Sequence, residues 1–206
     1  MDKAAFIAAV LRNPINRIIL DRLPALALPD AWLVSGALFQ TIWNGLTGRP
    51  PDDGIKDYDI FYFDPDTTWE AEDAVIRRMT AGFSDIDARI EPRNQARIHL
   101  WYPEKFGVPY PPLQRATDGI DRFLAGAAQV GIRPVGADID VYAPHGFNDI
   151  VALTVRPHLC SNFRAELYEA KAASWKARWP DLAVLPAIGV AEPTLRMDRT
   201  MVGGTG

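Results

Sequence analysis

The chain is poor in the residues that build cross-links and metal cages. Its 206 residues include one cysteine, Cys160, which excludes an intramolecular disulfide and a CxxC zinc site. Cys160 has no sequence neighbour that marks it as a nucleophile, and it reads as an inert, buried thiol. The three histidines, His99, His145 and His158, are scattered, and no spacing among them suggests a histidine-built metal site. No run of 18 apolar residues occurs, so no membrane-spanning helix is expected. Positive charge is not in excess: 22 Lys and Arg stand against 26 Asp and Glu, a net charge of −4. That balance argues against a protein that coats long phosphate backbones and leaves small phosphorylated ligands open. The start, from Lys3 to Leu11, lacks a small-residue cleavage site and ends at Arg12-Asn13-Pro14, so the expected location is cytoplasmic.

What is present is an ordinary globular composition, 48% apolar and 23% charged, enough for a sizeable core. We read one domain over residues 1–190 and a loose polar tail over 191–206. Phe6, Ile7, Val10 and Leu11 recur at helical spacing, and Ile15, Ile18, Ile19 and Leu23 repeat it behind Pro14. Trp32-Leu33-Val34 predicts a short strand, and Gly36 opens a helix carrying Leu38, Phe39, Ile42, Trp43 and Leu46. Residues 57–63 predict a second strand. Thr67-x-x-Glu70 reads as a capping box for a helix running to Phe83. Alternation predicts strands over 86–91 and 96–101, joined tightly through 92–94, with a proline-rich loop over 102–114. A short helix is expected around Ile120, Phe123 and Leu124, a strand over 138–142, and a long helix from Ser161 to Trp179. Trp175 and Trp179, four apart, are expected to dock that helix on the core.

The densest chemistry is Asp57-Tyr58-Asp59. Residues i and i+2 of a strand project from one face, about 6.5 Å apart, so the two carboxylates aim at one point. Such a pair repels itself unless a divalent cation lies between. Hard carboxylate oxygens suit magnesium, which completes its shell with water and substrate phosphates. Just upstream, Ser35 and Gly36 open a helix whose free N–H groups and dipole suit phosphate. A second pair, Asp138-Ile139-Asp140, lacks such a helix directly before it and is expected to serve in capping or salt bridges.

The segments Trp32 to Ala37, Thr41-x-Trp43-Asn44, Ile55 to Asp59, Tyr62-Phe63-Asp64 and Asn94 to Tyr102 together resemble a bacterial nucleotidyltransferase family, once a domain of unknown function, within the polymerase-beta-like superfamily. Tyr142-Ala143-Pro144-x-Gly146, Asp149, Arg156-Pro157 and Tyr168-x-x-Lys171-x-x-x-Trp175-x-x-x-Trp179-Pro180 continue the resemblance, which spans roughly residues 5–185. At the helix start this chain has Gly36-Ala37, where the superfamily usually has Gly-Ser or Gly-Gly, and the loop down to Asp57 is longer than usual.

The resemblance implies an α/β fold: a small mixed sheet with helices mainly on one face and helical additions at both ends. It implies metal-dependent transfer of a nucleoside monophosphate from an NTP to an acceptor, with release of pyrophosphate. Asp57 and Asp59 would hold Mg2+, two ions in all. A third acid, Glu91 in preference to Asp87, would complete the metal set or act as general base. Ser35, Gly36, Lys56, Asn94, Arg97 and His99 would serve nucleotide or phosphate binding. A small-molecule acceptor is favoured over a long nucleic acid. The alternatives are a non-catalytic nucleotide-binding or regulatory module, and a metal-dependent hydrolase using the same acids.

Overall fold

A computed structural model describes residues 1–187; the tail expected over 191–206 lies outside the described residues. Two helices, α1 (Lys3–Val10) and α2 (Pro14–Arg22), lead into β1 (Trp32–Val34), α3 (Gly36–Leu46) and β2 (Tyr58–Tyr62). Then follow α4 (Trp69–Gly82), β3 (Ile90–Asn94), α5 (Ile98–Phe106), α6 (Ala116–Ile120), β4 (Gly131–Val135) and β5 (Asp138–Tyr142). The chain continues through α7 (Asn148–Val151), β6 (Thr154–Val155), α8 (Ala165–Arg178) and β7 (Ala183–Val184).

Five strands form one mixed sheet in the order β3-β2-β1-β4-β5, and β6 and β7 make a small separate pair. Only β2 and β3 run parallel within the large sheet, joined through α4, as a parallel pair requires a crossover. β1 is central, and all three of its residues are buried. Leu33, Tyr58, Ile60, Tyr62 and Ile132 belong to the main core, together with Phe6, Ile19, Phe39, Trp43 and Met79 from the first four helices. Trp32 and Val34 turn to the other face, against Ala116 and Ile120 of α6, with Phe61 and Tyr142 beside them. The helices therefore lie mainly on one face of a mixed sheet, as expected. No helix among the described residues is long and apolar enough to cross a membrane.

Several sequence-based boundaries are corrected. The strand expected over 96–101 is helical. Asn94 ends β3 with its side chain accepting from Ala96 N–H at 3.1 Å, which caps a turn of 3-10 helix that runs on into α5. The polar alternation Gln95, Arg97, His99, Trp101 imitated a strand, but a side chain that caps the backbone redirected it. α5 extends through Pro103 to Phe106 and stops at Gly107, which adopts a left-handed φ of 68°. The preceding strand begins only at Ile90, and residues 86–88 bend. α4 is capped by Thr68, whose hydroxyl accepts from Ala71 N–H at 3.3 Å, not by Thr67. α8 starts after Arg164 rather than at Ser161. The short helix α6 ends at Ile120, so Phe123 and Leu124 follow it rather than belong to it. Strand β4, which carries Pro134 next to its last residue and reads poorly by alternation, completes the sheet.

Candidate active site

The acid strand is fixed from behind. Asn13, at the cap of α2, is fully buried and donates both to Thr41 Oγ1 of α3 at 3.0 Å and to Tyr58 Oη at 3.2 Å. Tyr58 and Ile60 bury on the helical side, so Asp59 and Phe61 project from the opposite face. Asp57 stands just ahead of β2, part-buried, and its charge acts on Asp59.

The loop leading to Asp57 is held by the motif Thr41-x-Trp43-Asn44. Asn44 donates to the carbonyls of Pro51 at 3.2 Å and Asp53 at 2.9 Å, and its Oδ1 accepts from Trp179 Nε1 at 3.0 Å. Trp43 Nε1 donates to Ile150 O at 3.1 Å. Trp179 is fully buried, and Trp175 packs edge-on against Phe39 and Trp43 with ring centres 5.2 and 5.9 Å away. Both tryptophans dock α8 on the core, as their spacing suggests. Asn44 and Trp179 thus tie α3, the loop and α8 into one frame around the acids.

β1 and β2 are antiparallel with Leu33 opposite Ile60. Carried two steps further, this register brings Ser35 alongside Tyr58, so α3 begins beside the end of β2 that carries Asp57. At that turn Ser35 holds φ 54° and ψ −114°, a region that residues other than glycine rarely occupy. Its N–H donates to Val130 O at 2.8 Å, and its carbonyl accepts from the N–H groups of Leu38 and Phe39 at 2.9 and 3.1 Å. The hydroxyl does not cap the helix. Gly36 needs no unusual φ; a Cβ there would come within 2.7 Å of the mobile end of Gln40.

The parallel pairing of β2 with β3 puts Glu91 directly across from Asp59, at the strand spacing of about 4.8 Å. Asp87 is exposed in the bend before β3, outside the strand pairing. Burial first, then the charge of Asp57 and then that of Glu91, push the Asp59 carboxyl up to about 6; Lys171 and Arg93 oppose this. Glu91 makes ion pairs with Arg89 and Arg93.

The remaining sequence candidates divide. Lys56 is exposed beside Asp57. Asn94 is committed to structure: beyond its cap it accepts from Asp64 N–H at 3.1 Å and donates to Asp64 O at 2.9 Å and Asp66 O at 3.3 Å. Arg97 lies 2.8 Å from Glu72, both side chains little exposed, and donates to Thr67 O; it fastens the start of α4. His99 is part-buried, and its Nδ1 has no hydrogen-bond partner among the described residues. None of these three lines the cavity in front of Asp59. The rival acid Asp140 stands on edge strand β5 and pairs with Arg133 at 3.3 Å. Arg133 also pairs with Asp30 at 2.9 Å and covers the Trp32 ring at 4.2 Å.

In front of Asp59 opens a cavity of about 540 Å³ between the acid face of the sheet and α5, α6 and α8. Its cations are Arg93, Arg122 and Lys171. Sequence reasoning left Arg93 out and used Lys171 only as a family marker. The spacing Tyr168-x-x-Lys171-x-x-x-Trp175 was the available signal, since positions i, i+3 and i+7 share one helix face, and all three line the cavity.

Among the described residues no group of three or more His, Cys, Asp or Glu side chains is arranged to enclose a metal ion unaided. Two interacting carboxylates, one of them held well above its ordinary range, do match the demand of an ion that draws its other ligands from water and substrate phosphates.

Comparisons with known proteins bear on the same elements. No curated protein matches the sequence significantly. A structure solved by NMR and described as revealing a CCA-adding enzyme head domain superposes with a TM-score of 0.74 at 25% identity, over 90% of this chain and 97% of that one. A family model described as "Nucleotidyltransferase" matches residues 21–184, a stretch that contains β1, the turn into α3, the acid strands and α8, and the chain belongs to that nucleotidyltransferase family.

Proposed function

We propose that the chain transfers a nucleoside monophosphate from an NTP to a hydroxyl-bearing acceptor, with Asp57 and Asp59 as the ligands of a magnesium-bound triphosphate. The observation that carries this reading is the state of Asp59: a part-buried carboxylate crowded by two other acids, directly across from Glu91 and facing an open cavity. Burial of a charge is costly unless something offsets it, and a cation brought by the substrate offsets this one. Magnesium, when bound, would neutralise the phosphates and lower the pKa of the acceptor hydroxyl.

The protein's own groups do the rest. Ser35 and the first N–H groups of α3 seat phosphate oxygens. Arg93 and Lys171 line the cavity in front of Asp59 and complement the triphosphate charge. The acceptor oxygen bonds to the α-phosphorus as the bond from that phosphorus to the bridging oxygen breaks, and pyrophosphate leaves with the electron pair. Glu91 takes the hydroxyl proton once its ion pairs with Arg89 and Arg93 open.

Net charge and cavity character support a small acceptor. A second reading follows from the neighbour's description as a CCA-adding enzyme head domain, in which the acceptor is the end of a nucleic acid; the net charge of −4 runs against it. The ion pairs that hold Glu91 favour a third reading, a module that binds nucleotide without turnover.

Calorimetry with Mg2+ and each NTP, followed by label transfer from α-labelled NTP, tests the proposal. Binding that needs magnesium and is lost in Asp57→Asn and Asp59→Asn supports it. Unchanged affinity in both variants at saturating magnesium refutes it. Pyrophosphate release without label transfer indicates hydrolysis instead.

A further inference from the structure

We propose that the cavity in front of Asp59 is the acceptor pocket, and that it takes a small molecule with a flat apolar body, a hydroxyl for the acid end and a hydrogen-bond donor for Asn162. This rests on the transfer reading above and deepens it by naming the class of acceptor.

The wall is the first ground. Phe61, Trp101, Tyr102, Phe123, Leu167 and Trp175 are among its lining residues. A sugar would leave most of its hydroxyls unpaired against such a surface, at a cost of about 1–3 kcal/mol for each, while Arg93, Arg122 and Lys171 of the same wall suit the phosphates of the donor. A planar apolar body loses nothing there and gains from offset or edge contacts with the rings. The volume, about 540 Å³, falls in the range of roughly 300–1,000 Å³ typical of small-molecule sites.

The second ground is Asn162. It lines the cavity and is 1% exposed. Its Nδ2 donates to Tyr102 Oη and to Arg122 O, each at 3.2 Å. A backbone carbonyl only accepts, so this contact fixes the amide orientation and leaves Oδ1 as the free end. That Oδ1 is buried and has no partner among the described residues. A buried acceptor without a partner selects a ligand that donates, and rejects the analogue that cannot.

The third ground is continuity. Asp59 and Lys171 belong to the same wall as Asn162, so a molecule seated on Asn162 shares one space with the acid that handles the phosphate. Ala170 and Ser174 bring exposed positions of α8 to the cavity, which marks its mouth.

Tyrosol, 4-(2-hydroxyethyl)phenol, has the required parts: a flat ring, a primary hydroxyl and a phenolic donor. Its phenolic methyl ether lacks only the donor, and glucose lacks the apolar body. Titration of the full chain without nucleotide, followed by tryptophan fluorescence, should show tyrosol binding about tenfold tighter than the ether, with no response to glucose. Asn162→Leu should bring the two aromatic affinities together. Ala170→Trp, at an exposed helical position, should weaken both by at least about tenfold through blocking the mouth, and it keeps the test open if Asn162→Leu fails to fold. Glucose binding as well as tyrosol, equal affinity for tyrosol and its ether, or tyrosol binding unchanged in Ala170→Trp overturns the proposal. So does binding of an RNA oligonucleotide ending in CCA where tyrosol fails. Magnesium–NTP calorimetry on the same samples separates the two readings: lost nucleotide binding with tyrosol selectivity intact removes the transfer reading and leaves the pocket, and the converse removes the pocket alone.

Discussion

The sheet carries the same three-residue pattern twice, Asp57-Tyr58-Asp59 and Asp138-Ile139-Asp140, and the two copies lead different lives. The first lies at the start of β2, with Asp59 on the strand and Asp57 just before it, between β1 and β3. The second is on edge strand β5, where Asp138 is exposed and Asp140 pairs with Arg133 and, at 3.9 Å, with Lys3. Asp140 has its counter-charges supplied by the protein. Asp59 has two further acids beside it, and its carboxyl is pushed up to about 6 by burial and by those neighbours. An acid the fold has already neutralised has a structural task, whereas an acid left short of counter-charge is available for chemistry.

The sharpest way to break this comparison is to neutralise each acid in turn. Asp59→Asn should lower nucleotidyl transfer by about a thousandfold, the scale of losing a main electrostatic element of the transition state, while Asp140→Asn leaves turnover within about twofold. Steady-state rates at saturating NTP decide it, and equal losses would erase the distinction.

The next effect is on stability without metal. The folded Asp59 keeps its proton up to about 6, against an ordinary 3.8. From pH 4 to 6 the folded state therefore binds more protons than the unfolded one, so this group's contribution to stability falls as pH rises. At ~1.4 kcal/mol per pKa unit the loss reaches about 3 kcal/mol above pH 6. Asn does not titrate. Metal-free Asp59→Asn should match wild type below pH 4 and exceed it by up to that amount at pH 7. The difference between the two melting curves isolates this group from Asp85, whose carboxyl is held down at about 2 by Arg22 and which acts in the opposite sense. A difference that does not change with pH contradicts the assignment.

A smaller effect concerns the turn beside the acids. Ser35 holds a left-handed φ at a cost of order 1 kcal/mol. Ser35→Gly should raise thermal stability by about that amount and weaken magnesium–NTP binding by several-fold through loss of the hydroxyl. Greater stability with unchanged affinity would remove Ser35 from the phosphate seat.

The smallest effect is at the second pair. Its ion pair with Arg133 is partly exposed, with side chains 41% and 34% accessible, and pairs of that kind contribute about 0–1 kcal/mol. Asp140→Asn should shift chemical denaturation by no more than this, and the shift should shrink in high salt.

The sequence by itself determined the parts of the molecule that follow from local period and local chemistry. Helical spacing marked α1 to α4, the apolar run Trp32 to Val34 marked β1, and alternation over 58–62 separated the buried Tyr58, Ile60 and Tyr62 from Asp59 and Phe61. The preference for Glu91 over Asp87 came from the family resemblance around Asn94-Gln95; the pairing of Glu91 with Asp59 across β2 and β3 belongs to the tertiary structure.

Only the tertiary structure decided which polar residues were already occupied. Asn94, Arg97 and Glu91 look equally available as letters. In the fold Asn94 braces residues 64–66, Arg97 is bound to Glu72, and Glu91 is held by two arginines. The same holds for the helix that replaced the strand expected over 96–101: a side-chain cap at Asn94 outweighed a two-residue alternation, because hydrogen bonding of the backbone is local and obligatory while alternation is only a tendency. The cavity is the extreme case. Its walls come from β2, α5, α6 and α8, more than a hundred residues apart along the chain, and no local period records that they meet.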